Sequence, residues 1–196
     1  MNATHKEIEA RFKEINPSEM IKRLLELGFE DLGEDFLTEM IFYDKDLEWV
    51  KQRKVVTQYI RLRKTNKGIK LTYKKQRQDI QTTEAKEIEF EVSDMNAAKE
   101  LFLALEMVAY RTQEKRRHTF KLGDITVDLD TWPQVPTYIE IEGLNESALK
   151  ETAEKLGLNW NNDVVYENAG NLIEKYYNLM VSKMKEYTFD KIEYYE

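Results

Sequence analysis

VVTQYIRLRKTNKGIKLTYKK, residues 55–75, is the stretch that decides the fold. Arg61 and Arg63 alternate with Ile60 and Leu62, and Lys70, Thr72 and Lys74 alternate with Leu71 and Tyr73. Residues two apart share one face of a strand, so each half is a strand with one cationic and one apolar face. Thr65-Asn66-Lys67-Gly68 supplies turn residues between them, which makes strands 55–64 and 69–75 a hairpin.

The same alternation extends outward in both directions. Residues 5–14 set Glu7, Glu9 and Arg11 against Ile8, Ala10 and Phe12. Residues 84–92 set Glu87, Glu89 and Glu91 against Ile88, Phe90 and Val92. Strands 107–121 and 124–131 meet at Leu122-Gly123-Asp124; the first carries Lys115 and Arg117 on one face, the second Asp128 and Asp130 against Val127 and Leu129. A last strand, 137–142, sets Glu140 and Glu142 against Ile139 and Ile141, and 35–43 reads as a further strand. Two helices interrupt the series. One is capped by Ser18 and runs to Gly28 with Met20, Leu24, Leu25 and Leu27 as its apolar face. The other is capped by Ser93 or Asp94, with Ala97, Ala98, Leu101, Phe102 and Leu105 inward. Beyond Gly143 the chain reads as helical, at 145–156 and roughly at 167–186. The expectation is one α+β domain over residues 1–196. About eight antiparallel strands (5–143) curl or close into a barrel, with a helical C-terminal part at 144–196.

A half-exposed sheet is the ordinary explanation of such alternation. Here, however, the polar face is almost wholly ionisable, and each strand carries mostly one sign. If that face turns inward, the lumen is charged and must be wet and balanced by a ligand, because unpaired buried charge is very costly. The apolar face then points outward and is covered by the helices. Residues 51–78 hold eleven Lys/Arg and no Asp/Glu within a chain of net charge −7, which suggests a local anion site and argues against general nucleic-acid binding. There is no cysteine and only two histidines, so thiolate sites are excluded and nitrogen-type zinc sites nearly so. Any metal is a hard cation held by oxygens. No apolar run of membrane-spanning length and no signal-peptide pattern is read, which points to a cytoplasmic protein without a membrane partner.

These residues resemble the CYTH family, the triphosphate tunnel metalloenzymes. EIEAR (Glu7, Glu9, Arg11) is similar to the family's Glu-x-Glu-x-Lys signature, and Arg61-Leu62-Arg63 to its Arg-x-Arg strand. LTYK with Lys74, EIEFE with Glu87 and Glu89, and Lys115-Arg116-Arg117 follow in the family's order. Asp130 and the closing pair Glu140 and Glu142 complete it. The resemblance implies an eight-stranded antiparallel tunnel that binds a triphosphate with Mg²⁺ or Mn²⁺. It implies that Glu7, Glu9, Glu140 and Glu142 hold metal, and that Arg61, Arg63, Lys74, Lys115 and Arg117 grip phosphates. Asp130 would assist a metal or the attacking group, Arg11 would be a further catalytic position, and Glu87, Glu89 and Asp128 would add acid to the lumen. Arg11 stands where a lysine is usual and cannot give up its proton. The link TWPQVPTY (131–138) replaces the glycine-rich turn of the family's cyclases.

The implied activity is metal-dependent hydrolysis of a small-molecule triphosphate, most simply inorganic triphosphate. An adenylyl cyclase is the second reading and a non-catalytic polyphosphate or nucleotide binding module the third. His5 and His118 read as surface residues, and Trp49, Trp132 and Trp160 as packing. The Tyr-rich C-terminus (Tyr176, Tyr177, Tyr187, Tyr194, Tyr195) reads as helix packing ahead of a dimer surface; the oligomeric state stays open, a homodimer included.

Overall fold

The computed structural model describes residues 8–44, 58–76 and 85–196. The chain packs as two compact units. The first comprises the chain up to Asp35 together with Arg116–Leu179, and the second Phe36–Lys115 together with Met180–Glu196. Two long strands, β2 (Glu30–Tyr43) and β6 (Val108–Leu122), run on from one unit into the other. Among the described residues the helices are α1 (Pro17–Glu26), α2 (Met95–Ala104), α3 (Glu146–Lys155), α4 (Trp160–Asp163) and α5 (Ala169–Tyr177).

In the first unit β1 (Ile8–Phe12), β7 (Ile125–Thr131) and β8 (Tyr138–Gly143) join β6 in the antiparallel order β6-β7-β8-β1. A two-residue strand, β9 (Val164–Val165), pairs with the other edge of β1. The registers Phe120↔Val127, Val127↔Ile141 and Ala10↔Ile141 line up the apolar residues of four strands on one face. Met20 and Leu24 from α1, Leu149 and Ala153 from α3, and Leu156 and Trp160 cover that face and form the core with it. Each large side chain fully buried there is worth about 1.5–3 kcal/mol over leaving it in water. Gly143 permits the close approach of α3. A Cβ on it would lie 2.6 Å from Ile125 Cδ1 and 2.9 Å from Leu149 Cδ1.

The cap of α1 is Asn16, not Ser18. Its side-chain oxygen accepts from the backbone N–H of Ser18 and Glu19, and Pro17 takes the first helical position, where no N–H is needed. Met20 and Leu24, four apart, point into the core, while Leu25 and Leu27, expected inside, are 50% and 36% exposed.

In the second unit β3 (Gln58–Thr65), β4 (Gly68–Gln76) and β5 (Ala85–Val92) join β2 in the antiparallel order β5-β4-β3-β2. The expected hairpin turns where Thr65 pairs with Gly68. Phe42, Leu62 and Leu71 pack with Phe102 of α2. Asp94 caps α2 by accepting from Asn96 and Ala97. The helix turns the stripe Met95, Ala98, Phe102 toward the sheet. Ala97, Leu101 and Leu105, expected inward, form the neighbouring stripe and are exposed, Leu105 at 63%.

The expected helix over 167–186 is also corrected. α5 stops at Tyr177 because Asn178 adopts the left-handed conformation. A 3₁₀ turn (Val181–Lys183) and a hairpin of β10 (Met184–Tyr187) and β11 (Ile192–Tyr194) follow, with β10 parallel to β6. In β10 Met184 and Tyr187 are buried while Lys185 is exposed.

The architecture is thus a mostly antiparallel sheet with a few helices. It differs from the eight-stranded closed barrel expected: among the described residues there are eleven strands, and the hydrogen-bonded order ends at β5 and β9 without those edges pairing. Among the described residues no helix is long and apolar enough to cross a membrane.

Candidate functional site

In the second unit the register stacks the ionisable residues of four strands in rows. Glu39 lies opposite Arg63, Arg63 opposite Lys70, and Lys70 opposite Glu91; Arg61 lies opposite Thr72, which faces Glu89; Lys74 lies opposite Glu87. Glu39 is 2% exposed. Its Oε1 accepts from Arg63 Nε at 2.5 Å and lies 3.9 Å from Arg61 Nη1, and its Oε2 accepts from Gln113 Nε2. Burial alone would push the Glu39 carboxyl up. The positive charges of Arg63, Arg61 and Lys115 override it and hold the group far below the ordinary carboxylate range. Lys115 is itself 5% exposed. The carboxylate of Glu39 thus lies in the field of three cations, and Arg61 also acts on Glu89. The buried Nε–H of Arg61 has no hydrogen-bond partner among the described residues. Nearer the edge, Lys70 and Thr72 bind Glu89, and Lys74 lies 3.5 Å from Glu87. Glu87 and Glu89 are exposed.

A testable consequence concerns acid. Because its folded value is depressed, Glu39 contributes stability that is present above the ordinary carboxylate range and is lost as the pH falls below it. The wild-type melting temperature should drop on that acid limb, and Glu39→Gln should flatten it. Superimposable limbs in the two proteins would show that the carboxylate is not held this way.

In the first unit the opposite sign dominates. Glu9 faces Glu142, Arg11 faces Glu140, Asp128 faces Glu140, and Arg117 faces Asp130 across their strand pairs. Arg117 donates Nε and Nη2 to the two oxygens of Asp130, both at 2.6 Å. It also lies 2.5 Å from Asp128 and 3.3 Å from Glu140. Arg11 bridges Glu140 at 2.6 Å and Glu9 at 2.9 Å, and donates Nη1 to the Glu167 carbonyl. Burial would lower both guanidinium values, but the surrounding carboxylates more than reverse this and hold both well above the usual arginine value. For Asp128 burial dominates: it is pushed up, Arg117 opposes the shift, and Asp130 and Glu140 reinforce it. Asp130 is fully buried, with Tyr138 donating to it at 3.4 Å and Trp132 donating to Tyr138.

The structure therefore brings Glu9, Arg11, Arg117, Asp128, Asp130 and Glu140 together in the first unit, and Arg61, Arg63 and Lys115 in the second. Lys74, Glu87 and Glu89 lie on the outer strands of the second unit. Glu7, His5 and Trp49 fall outside the described residues. Glu39 escaped the sequence reading. Its signal is a lone acid among Leu37, Ile41 and Tyr43, a position that tolerates a charge only when cations face it. The donors of the first unit are all oxygens, and carboxylates outnumber guanidinium groups there, a set that fits a hard divalent cation. Among the described residues no three acidic side chains are already grouped as a cage.

The sequence matches the CYTH domain over residues 5–177. No curated protein matches it. Among solved structures the chain is similar to the PH1012 protein of Pyrococcus horikoshii OT3, at 26% identity and a TM-score of 0.68, covering 83% of this chain and 96% of that one. It is similar to a putative adenylate cyclase from Vibrio parahaemolyticus, at 13% identity and a TM-score of 0.67, covering 86% and 97%. It is also similar to HpAC1 from Hippeastrum, a putative adenylyl cyclase with a dominant triphosphatase activity, at 16% identity and a TM-score of 0.59, covering 89% and 97%. The last two likenesses are likenesses of fold.

Proposed function

We propose that this chain, which belongs to the CYTH domain family, is a divalent-metal-dependent hydrolase of triphosphate compounds, with inorganic triphosphate as its simplest substrate. The observation that carries the reading is the group of Arg61, Arg63 and Lys115 around buried Glu39, with an Arg61 Nε–H that has no hydrogen-bond partner among the described residues. Phosphoryl oxygens are the natural acceptors for such donors. Closure of the strands into the tunnel that the family resemblance implies is part of this proposal.

In this reading Arg61, Arg63 and Lys115 grip the phosphate chain, with Lys74 at the outer strands and Arg117 as a further cation. Glu9, Glu140 and Glu142, with Glu7, would hold Mg²⁺ or Mn²⁺, which when bound neutralises phosphate charge and polarises the P–O bonds. Asp130 holds Arg117 by a two-point contact and so fixes its direction. Arg11 keeps Glu9 and Glu140 in place; a permanently charged guanidinium is no proton carrier. Water adds at the terminal phosphorus, the bridging P–O bond breaks, and pyrophosphate and phosphate leave. Catalysis is then mainly positioning and electrostatics.

The deciding experiment is product analysis with Mg²⁺ or Mn²⁺ and, in turn, inorganic triphosphate, thiamine triphosphate and ATP. We expect a higher kcat/KM for inorganic triphosphate than for ATP, with ATP giving ADP or nothing, because among the described residues no cluster that reads adenine accompanies the phosphate grip. Cyclic AMP and pyrophosphate as main products would make the chain a cyclase. Tight binding without turnover would make it a binding module.

A further inference from the structure

The matched family region ends at residue 177, yet the segment beyond it is tied to the cation group by a continuous line of hydrogen bonds. Arg111 Nη1 donates to the Val181 carbonyl at 2.7 Å, and Arg111 Nε donates to Gln113 Oε1 at 2.7 Å. Gln113 Nε2 donates to Glu39 Oε2, and Glu39 Oε1 accepts from Arg63 Nε. The direction of the amide is fixed by chemistry. A guanidinium only donates and a carboxylate only accepts, so Gln113 must turn its oxygen to Arg111 and its nitrogen to Glu39. Every member of the line belongs to the second unit.

The segment is itself well anchored. Tyr110 donates to the Ser182 carbonyl, Tyr195 donates to the Tyr110 carbonyl, and the Tyr110 and Tyr195 rings stack at 4.9 Å. The Tyr195 N–H donates to the Lys183 carbonyl at 2.9 Å, which folds the segment onto itself. β10 pairs with β6 at Glu186↔Thr112 and Tyr187↔Gln113. The 3₁₀ turn that presents the Val181 carbonyl is thus held on both sides.

We propose that the segment Val181–Glu196 is a brace for the phosphate grip: through Arg111, Gln113 and Glu39 it sets the direction of the Arg63 guanidinium, and with it the placement of Arg61. This rests on the triphosphate reading only for what the two arginines hold. Glu39, Gln113 and Arg111 are positioning residues. A guanidinium binds phosphate by two parallel donors, so its orientation matters as much as its charge. Glu39 fixes Nε of Arg63 by accepting its hydrogen. Gln113 stops Glu39 from rotating, and Arg111 stops Gln113. Without the far end, each link regains rotamer freedom that ligand binding must then remove.

The test uses the full chain and two readouts, with Arg111→Met as the principal variant and Gln113→Met as a second break one link closer in. The first readout needs no substrate: hydrogen exchange at Arg63 Nε, followed by arginine-selective NMR. Slow exchange in the wild type that quickens in both variants, while far-UV circular dichroism stays native, supports the brace; unchanged exchange overturns it. The second readout is the KM for inorganic triphosphate, expected to rise about tenfold in Arg111→Met with a smaller change in kcat. Arg111→Lys, which keeps the charge but places its donors on a single nitrogen, should recover part of the loss. Faster exchange with an unchanged KM would overturn the positioning role. If the wild type turns over no triphosphate, the proposed function fails, and exchange at Arg63 alone decides the brace.

Discussion

On the proposed triphosphatase function, Arg61→Ala is expected to lower kcat/KM for inorganic triphosphate by about 100- to 1000-fold, the loss typical of removing a preorganised donor to an oxyanion. The size follows from how little the protein uses this side chain for itself. Its distance of 3.9 Å to Glu39 is an ion-pair distance and too long for a hydrogen bond. Its Nε–H is buried and has no partner among the described residues, a state that costs about 1–3 kcal/mol in a protein without ligand. Removing the side chain relieves that penalty but also takes one of the positive charges from buried Glu39, so the two effects oppose each other. Arg61→Ala should melt close to wild type, and Arg61→Lys, which keeps the charge but not the fork, should fall between the two in activity. Steady-state kinetics beside thermal melting checks both halves. A variant that loses stability and keeps kcat/KM would show that Arg61 is a structural residue.

What was legible in the sequence, and what was not, follows from range. Alternation is a local property, so the charged and apolar faces of β1, β3, β4, β7 and β8 were readable, and so was the hairpin at Thr65–Gly68. Partner choice is not local. Arg117 reads as a phosphate ligand by its place in the chain, yet its immediate partners are Asp128, Asp130 and Glu140, because the register of β6 against β7 sets it directly opposite Asp130. Glu39 was missed for the same reason: its own strand marks it only as a lone acid among Leu37, Ile41 and Tyr43, and its meaning comes from Arg63 across the ladder. The C-terminal hairpin was read as helix because KMKEY carries good helix formers. Pairing of β10 with β6 and β11 overrides that preference.

The register at Arg117 carries the largest expected stability effect. Arg117→Leu leaves Asp128, Asp130 and Glu140 buried without their shared cation, and breaking such a cluster by removing one partner costs about 3–5 kcal/mol. The pH dependence follows with a definite sign. Asp128 already sits above the ordinary carboxylate value, raised by burial and by its acidic neighbours and held back by Arg117. Without Arg117 that opposition is gone, and Asp128 takes up a proton in the folded state more readily than in the unfolded one. A group whose folded value is raised stabilises below its unfolded value, and that stability is lost as the pH rises through the folded value. The gap in melting temperature between wild type and Arg117→Leu should thus narrow on acidification toward the carboxylate range and widen toward neutrality. Adding Asp130→Asn to Arg117→Leu should recover part of the loss at neutral pH, since it removes one of the stranded charges; the two changes are coupled and will not add. The measurement is a melting series across pH for the wild type, the single variant and the double variant. A gap that is constant with pH would mean that Arg117 contributes packing alone and that these carboxyls do not depend on it.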